Sequence, residues 1–339
     1  MKKTLAILPP LILMLLLTTS CDKGTGGKSS LLPNVTGSAG EVIVSMNRGV
    51  INDSIGKTLK SVLEDEYPML PQSEPLFRPI MVPSQNFSNI FRTHRNIILI
   101  KVGEEFKKAQ MVPQHDVWAA PQFVLNIVGP SYPAIEELVK KDKDKLVQML
   151  EQNERNRVVQ NATKYEVRVL RELIKEKFDV SMVFPKGYTL KLDTTDFVWI
   201  SYETPSLSQG IFIYEYPYTD ANTFTAEYLI AKRDSMLKRY VPGPTKGSYM
   251  ITETLIPPVF QPLMYRDRYF GQLRGLWDVY GHPMGGPFIS LTTVNETNNS
   301  IITVDGYVHA PKLDKRNYIR QVEALLLNTR LAEDKEKKE

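Results

Sequence analysis

The 339 residues carry 42 Lys and Arg against 38 Asp and Glu, a formal charge of +4, with 42% hydrophobic and 24% charged residues. That balance belongs to a folded globular chain and excludes disorder away from the two ends. The basic residues are dispersed among acids, so the clustered basic face of a nucleic-acid binder is missing and no such partner is expected.

Lys2 and Lys3 precede an apolar run, Leu5 to Leu17, broken only by Pro9 and Pro10. A spanning helix needs about 20 apolar residues, so this shorter run fits the hydrophobic region of an export signal over residues 1–20. Thr18, Thr19 and Ser20 then lead to Cys21, the chain's one cysteine. Exported proteins usually pair their cysteines, and an unpaired one needs a reason. Its position resembles the bacterial lipobox, with Thr18 where Leu is usual and Leu17 one residue early. The expectation is lipid attachment at Cys21 and a membrane as partner. Each buried CH₂ adds about 0.8 kcal/mol, so two or more acyl chains anchor stably. No acidic cluster follows Cys21, which points to the periplasmic side of the outer membrane. Asp22–Gly40, rich in Gly, Ser and Lys, reads as a flexible tether spanning roughly 25 Å.

Glu41–Met46 reads as the first strand. In 53–66, Ile55, Leu59, Val62 and Leu63 share a helical face. Pro68 and Pro71 break the chain. Leu76–Val82 reads as a strand, Ser84 as the cap of a short helix to Phe91, and Asn96–Val102 and Gln122–Val128 as buried strands. Pro133 opens a long helix, and a second helical pattern over 157–177 carries Val158, Ala162, Tyr165, Val169 and Leu173. Phe178–Phe184 alternates like a half-buried strand before the Pro185-Lys186-Gly187 turn. Strands follow near 188–192, 197–202 and 210–216, then an amphipathic helix over 223–240. Three more strands, near 275–280, 288–294 and 301–309, precede a closing helix over 314–328. The polar stretch 295–300 joins the last two strands as a hairpin.

These elements predict an α+β protein of two sandwich domains, each a mixed or mostly antiparallel sheet flanked by helices. The expected domains are 41–177 and 178–330, with a charged tail at 331–339. The segment FDVSMVFPKGY resembles the opening of the PsbP and Mog1-like sandwich.

No chemistry stands out. HExxH, GxSxG and the glycine-rich phosphate loops are missing from the sequence, and the four histidines are dispersed, so neither a metal nor a cofactor is expected. Two clusters are candidate ligand or partner sites. Arg92, His94 and Arg95 group donors at the entrance to the third strand; the plainer alternative is a solvated loop whose arginines pair with nearby acids. Arg274, Trp277, Asp278 and His282, followed by Met284-Gly285-Gly286-Pro287-Phe288, could line a cleft or form a packing corner. Tyr214, Tyr216 and Tyr218 alternate on one strand face, for stacking on sugars or for burial beneath the helix from Thr223.

RTHRNI, RGLW, MGGPF and the closing VDGYVHAPKLDKRNYIRQVEALL resemble a family of Bacteroidetes lipoproteins defined by a domain of unknown function. The resemblance spans about Glu41 to Leu327 and implies an envelope location. It brings no activity, ligand or catalytic residue. The expected role is therefore a binding or structural module meeting an envelope protein or glycan, and the alternative a hydrolase of envelope glycan or peptide.

Overall fold

The computed structural model describes residues 32–331 and 334. The expected signal, Cys21 and the tether as far as residue 31 lie outside the described residues.

The first half runs β1 (Glu41–Met46), α1 (Ser54–Leu63), β2 (Arg78–Pro83), α2 (Asn89–Arg92), β3 (Asn96–Val102), β4 (Gln110–His115), β5 (Phe123–Gly129), α3 (Tyr132–Lys141) and α4 (Lys143–Lys164). Its five strands lie in the order β2-β1-β3-β5-β4. All pairs are parallel except β4 with β5. Parallel strands covered on both faces read as unbroken apolar runs, and every residue of β5 is buried. One face packs Val44, Ile98 and Leu125 against α1, α3 and α4. The other buries Ile43, Ile97 and Val124 under Phe87, Phe91 and Trp118. The strand β4, absent from the sequence expectation, is an exposed edge of sequence QMVPQH. Pro113 and polar residues suit an edge and erase the apolar signal.

The second half contains α5 (Arg168–Phe178), β6 (Val180–Ser181), β7 (Thr189–Asp193), β8 (Phe197–Thr204), β9 (Leu207–Pro217), α6 (Ala226–Tyr240), β10 (Tyr249–Thr252), β11 (Val259–Tyr265), β12 (Arg268–Tyr280), β13 (His282–Asn295), β14 (Ser300–His309), α7 (Arg316–Leu326) and β15 (Arg330–Leu331). Its main sheet is antiparallel, in the order β10-β12-β13-β14-β9-β8-β7, with β11 pairing an earlier stretch of β12. The expected 295–300 hairpin joins β13 to β14. α5 and α7 cover one face, where Ile211, Ile289 and Val304 meet Ile174, Ile319 and Val322. α6 covers the other, over Phe212, Tyr214 and Trp277. Arg233 of α6 reaches Asp305 of β14 at 2.7 Å with both side chains buried, which fixes that helix to its sheet. Two large sheets, the small β6–β15 pair and seven α-helices among the described residues make an α+β fold.

Three expectations change. The helical pattern over 157–177 is two helices, because Val167 N–H donates to the Phe184 carbonyl and ends the run. The interruption resets the helical phase: Leu170, Ile174 and Phe178 point inward, while Tyr165 and Val169 are exposed. α5 thus packs with the residues after it, although the expected boundary at 177 leaves it with those before. The predicted strand 178–184 shrinks to β6, because Asp179 closes α5 in a left-handed conformation (φ 57°); its partner is β15, near the far end of the chain. The expected coil to Gly40 is fixed from Pro33 onward. Val35 donates to Ala120, Thr36 to Thr93, and Arg95 back to Thr36.

The halves meet along α4 and α7. Glu74 accepts hydrogen bonds from the backbone N–H groups of Lys315 and Arg316 at 2.5 and 3.1 Å, capping α7 from 241 residues away. Arg320 makes a bidentate pair with Glu151 at 2.7 and 2.9 Å, both buried. A buried pair of this kind is sustained only by full hydrogen bonding, and Arg320 also donates to the Leu76 carbonyl.

Candidate functional site

The sheet sorts the candidate residues by parity, since neighbours along a strand point to opposite faces. Arg274 lies on the α7 face, where its guanidinium pairs with Glu323, and Tyr67 donates to the same carboxylate at 3.4 Å. Trp277 lies on the α6 face and is 1% exposed. Asp278 accepts from its neighbour Val279 N–H, at a bulge between the two residues. His282 begins β13, past the turn at Gly281, whose φ is +78°. These four residues share no cavity. Gly285 and Gly286 of the MGGPF motif lie within β13.

In the Arg92, His94 and Arg95 cluster, Arg92 is exposed, while His94 and Arg95 are tied into the structure. Arg92 lies 5.9 Å over the Trp118 ring. His94 is buried, with Nε2 3.4 Å from Glu41 Oε2 and Nδ1 3.3 Å from the Asn96 carbonyl. Gly37 packs flat on that imidazole, where a Cβ would come within 2.1 Å of Nε2. Arg95 donates to Glu154 at 2.8 Å, and Asn96 and Arg157 complete the network. The arginine at 95 does pair with an acid, as the plainer alternative expects, but that acid is buried.

Trp277 instead belongs to a row of rings crossing the sheet. Trp199 meets Phe212 edge-on at 5.7 Å, Phe212 stacks on Tyr307 at 5.1 Å, and Tyr307 meets Trp277 edge-on at 5.6 Å. Two glycines make the row feasible. Gly210 pairs with Tyr307 across β9 and β14, and Gly286 with Trp277 across β12 and β13. A Cβ on Gly210 would lie 1.9 Å from the Tyr307 ring, and one on Gly286 would lie 2.1 Å from the Val308 carbonyl. Each ring therefore lies over a bare backbone opposite it. Trp277 Nε1 donates to the Val308 carbonyl at 3.2 Å, which fixes the indole.

Where α6 ends, Val241-Pro242-Gly243-Pro244 walls a cavity of about 350 Å³ on this face of the sheet. Trp199, Trp277 and Tyr307 form its floor, with Met250 and Met284 beside them. Two hydrogen bonds brace the wall: Gly243 N–H donates to the Ser248 carbonyl, and the Ser248 hydroxyl donates to the Thr245 carbonyl at 2.6 Å. Glu203, Thr204 and Ser208 supply polar groups. Lys191, at 2.7 Å from Glu203, holds that carboxyl below its usual range, with burial opposing and Ser201 assisting. Burial pushes the Tyr307 phenol up to about 12, so it is neutral near pH 7. Its hydroxyl lies 3.4 Å from Ser208 Oγ, and the buried Trp199 indole N–H beside it closes no hydrogen bond of standard geometry. The cavity thus offers aromatic and thioether surface, an ionised carboxylate and neutral hydroxyls. That is the composition of a binding pocket for a small, largely apolar group.

Sequence reasoning reached Trp277 and Met284 but missed Trp199, Tyr307, Gly210 and Val241–Pro244. The signal was the aromatic-opposite-glycine pairing, which needs the strand register to be read. Tyr214 and Tyr216 are buried beneath α6, which settles their two readings in favour of packing. Among the described residues, no group of three or more His, Cys, Asp or Glu could hold a metal.

Fold and site together define an α+β protein with an aromatic cavity on its second sheet. Residues 168–328 match the family model of a domain of unknown function, DUF4837, and residues 35–163 match that of a second, DUF8532. No curated protein matches the chain. Among solved structures, LpqN of Mycobacterium tuberculosis, described as involved in cell envelope biogenesis, is similar at 10% identity. The match covers 44% of this chain and 81% of LpqN, with a TM-score of 0.27. A variant of the protein Mog1 is similar at 8% identity over 45% of this chain and 90% of its own, with a TM-score of 0.31. Neither likeness carries a ligand or an activity to this chain. No helix among the described residues is long and apolar enough to cross a membrane.

Proposed function

We propose that this protein is a binding module of the bacterial cell envelope that receives the apolar part of a small ligand against Trp199, Tyr307 and Trp277. The observation that carries the reading is the ring row itself. Glycines at 210 and 286 make room for it, and Trp199, Tyr307 and Trp277 line the cavity walled by the chain after α6. The envelope address rests on the N-terminal run and Cys21, which support lipid anchoring as in Bacteroidetes lipoproteins, on the periplasmic face of the outer membrane. Its partners there are an envelope protein or glycan. The hydrolase reading loses support, because Arg274, Asp278 and His282 do not converge.

The test uses 1-N-phenylnaphthylamine as the probe and tryptophan fluorescence as the readout, in a Trp118→Phe background that leaves Trp199 and Trp277 as reporters. Saturable quenching with a micromolar Kd, lost in Tyr307→Ala and Trp199→Ala proteins of unchanged circular dichroism, is expected. Binding that survives both substitutions would reject this cavity. For the address, mass spectrometry of protein from its native host should find acylated Cys21 at the N-terminus; an intact residue 1–20 segment or a free thiol would reject lipid anchoring.

A further inference from the structure

We infer that a second cleft, on the opposite face of the same sheet, is a saccharide site. It lies where α4, the 185–187 turn, β8, β9 and α7 meet, and encloses about 450 Å³. Tyr188, Tyr202 and Tyr318 line it together with Gln209, Gln321 and Asn161. No carboxylate lines it, and Lys186 is its one cation.

The aromatic side is built. Tyr188 and Tyr202 stand 6.0 Å apart with their planes 32° from parallel. Gly187, at φ +98°, brings the turn down onto Tyr202, whose ring would lie 2.9 Å from a Cβ there. Tyr188 packs in turn on Phe184 at 6.4 Å, so these rings hold their orientation without a ligand. Tyrosine faces of this kind can receive the C–H face of a sugar ring.

The amide side defines the polar requirement. Gln209 is 4% exposed, and its Nε2 donates to the Tyr318 carbonyl at 3.0 Å. A backbone carbonyl only accepts, so the nitrogen of Gln209 is assigned by its partner. The same nitrogen donates to Gln321 at 3.2 Å, which fixes the Gln321 atom there as Oε1. Two groups are then left over. Among the described residues, Gln209 Oε1 accepts no hydrogen bond and Gln321 Nε2 makes none. An acceptor and a donor on two hydrogen-bonded amides, in a cleft lined by aromatic rings, match the hydroxyls of a sugar, each of which both donates and accepts. Asn161 adds a further amide from α4. With Lys186 present and no acid, an anionic sugar is accommodated and a cationic one is not.

The cleft is separate from the tryptophan cavity. Tyr202 and Glu203 are sequence neighbours on β8 and point to opposite sides, one into each. The test is saturation-transfer NMR and calorimetry on the full chain in detergent, with chitotetraose as the neutral probe and trigalacturonate as the acidic one. At least one should bind with a Kd below about 10 mM, the range of weak single-site recognition. Tyr202→Ala and Gln321→Ala should each weaken that binding by about tenfold or more. Lys186→Ala should weaken only trigalacturonate, and Trp199→Ala should change neither. The inference is overturned if neither probe binds, or if binding persists in both Tyr202→Ala and Gln321→Ala with circular dichroism unchanged.

Discussion

Single side chains in this protein hold distant segments together, and three of them give measurable expectations. The backbone N–H of Ser38 holds the Glu41 carboxyl below its ordinary 4.5, with burial opposing and His94 assisting. A depressed carboxyl stabilises fully above its unfolded value, and the benefit disappears as pH falls through the folded one. Thermal melts from pH 6 to 3 should therefore show a shallower acid decline in Glu41→Gln than in the parent; equal slopes would overturn this role for Glu41. Gly210 gives a steric expectation. Gly210→Ala drives a methyl into the Tyr307 ring and should lower urea stability by about 1–3 kcal/mol, the usual range for overpacking. At Glu74 the effect is capping. Glu74→Ala leaves the Lys315 and Arg316 N–H groups without acceptors, a loss of about 1–3 kcal/mol for buried donors, read from the same urea curves.

At the scale of elements, central and edge strands behave differently. β3 and β5 are mostly apolar because both faces of their central residues are covered, and their limits are legible to within a residue. Edge strands are legible only in part: β2 and β7 are expected from the sequence, whereas others are not. β4 and β11 present polar and proline-bearing sequences, QMVPQH and VFQPLMY, that carry no period-two signal. Helix α7 reads clearly, yet Lys315 at its N-cap position makes no side-chain capping bond; the cap comes from Glu74 in the other half. The break between α4 and α5 is likewise set from outside, by the pairing of Val167 with Phe184, so local periodicity ran through it.

Across the whole molecule the two halves are coupled by buried charge. Removing one member of a buried pair leaves the other unpaired at about 3–5 kcal/mol. Glu151→Leu strands Arg320 at the α4–α7 contact and should split calorimetric unfolding into two transitions, one per half; a single shifted transition would mean that the halves remain one cooperative unit. The sequence by itself determined the two α+β halves, the central strands, the apolar faces of helices other than α5 and the N-terminal features that point to an envelope address. These depend on local periodicity and composition, which a linear pattern records. Only the tertiary structure decided that Arg274 and Trp277 part company across the sheet, that His94 and Arg95 are tied into the structure, and that Trp199, Tyr307 and Trp277 form one surface. Those outcomes depend on strand register and on contacts between residues far apart in the chain, and a substitution-free reading of one sequence contains no term for either.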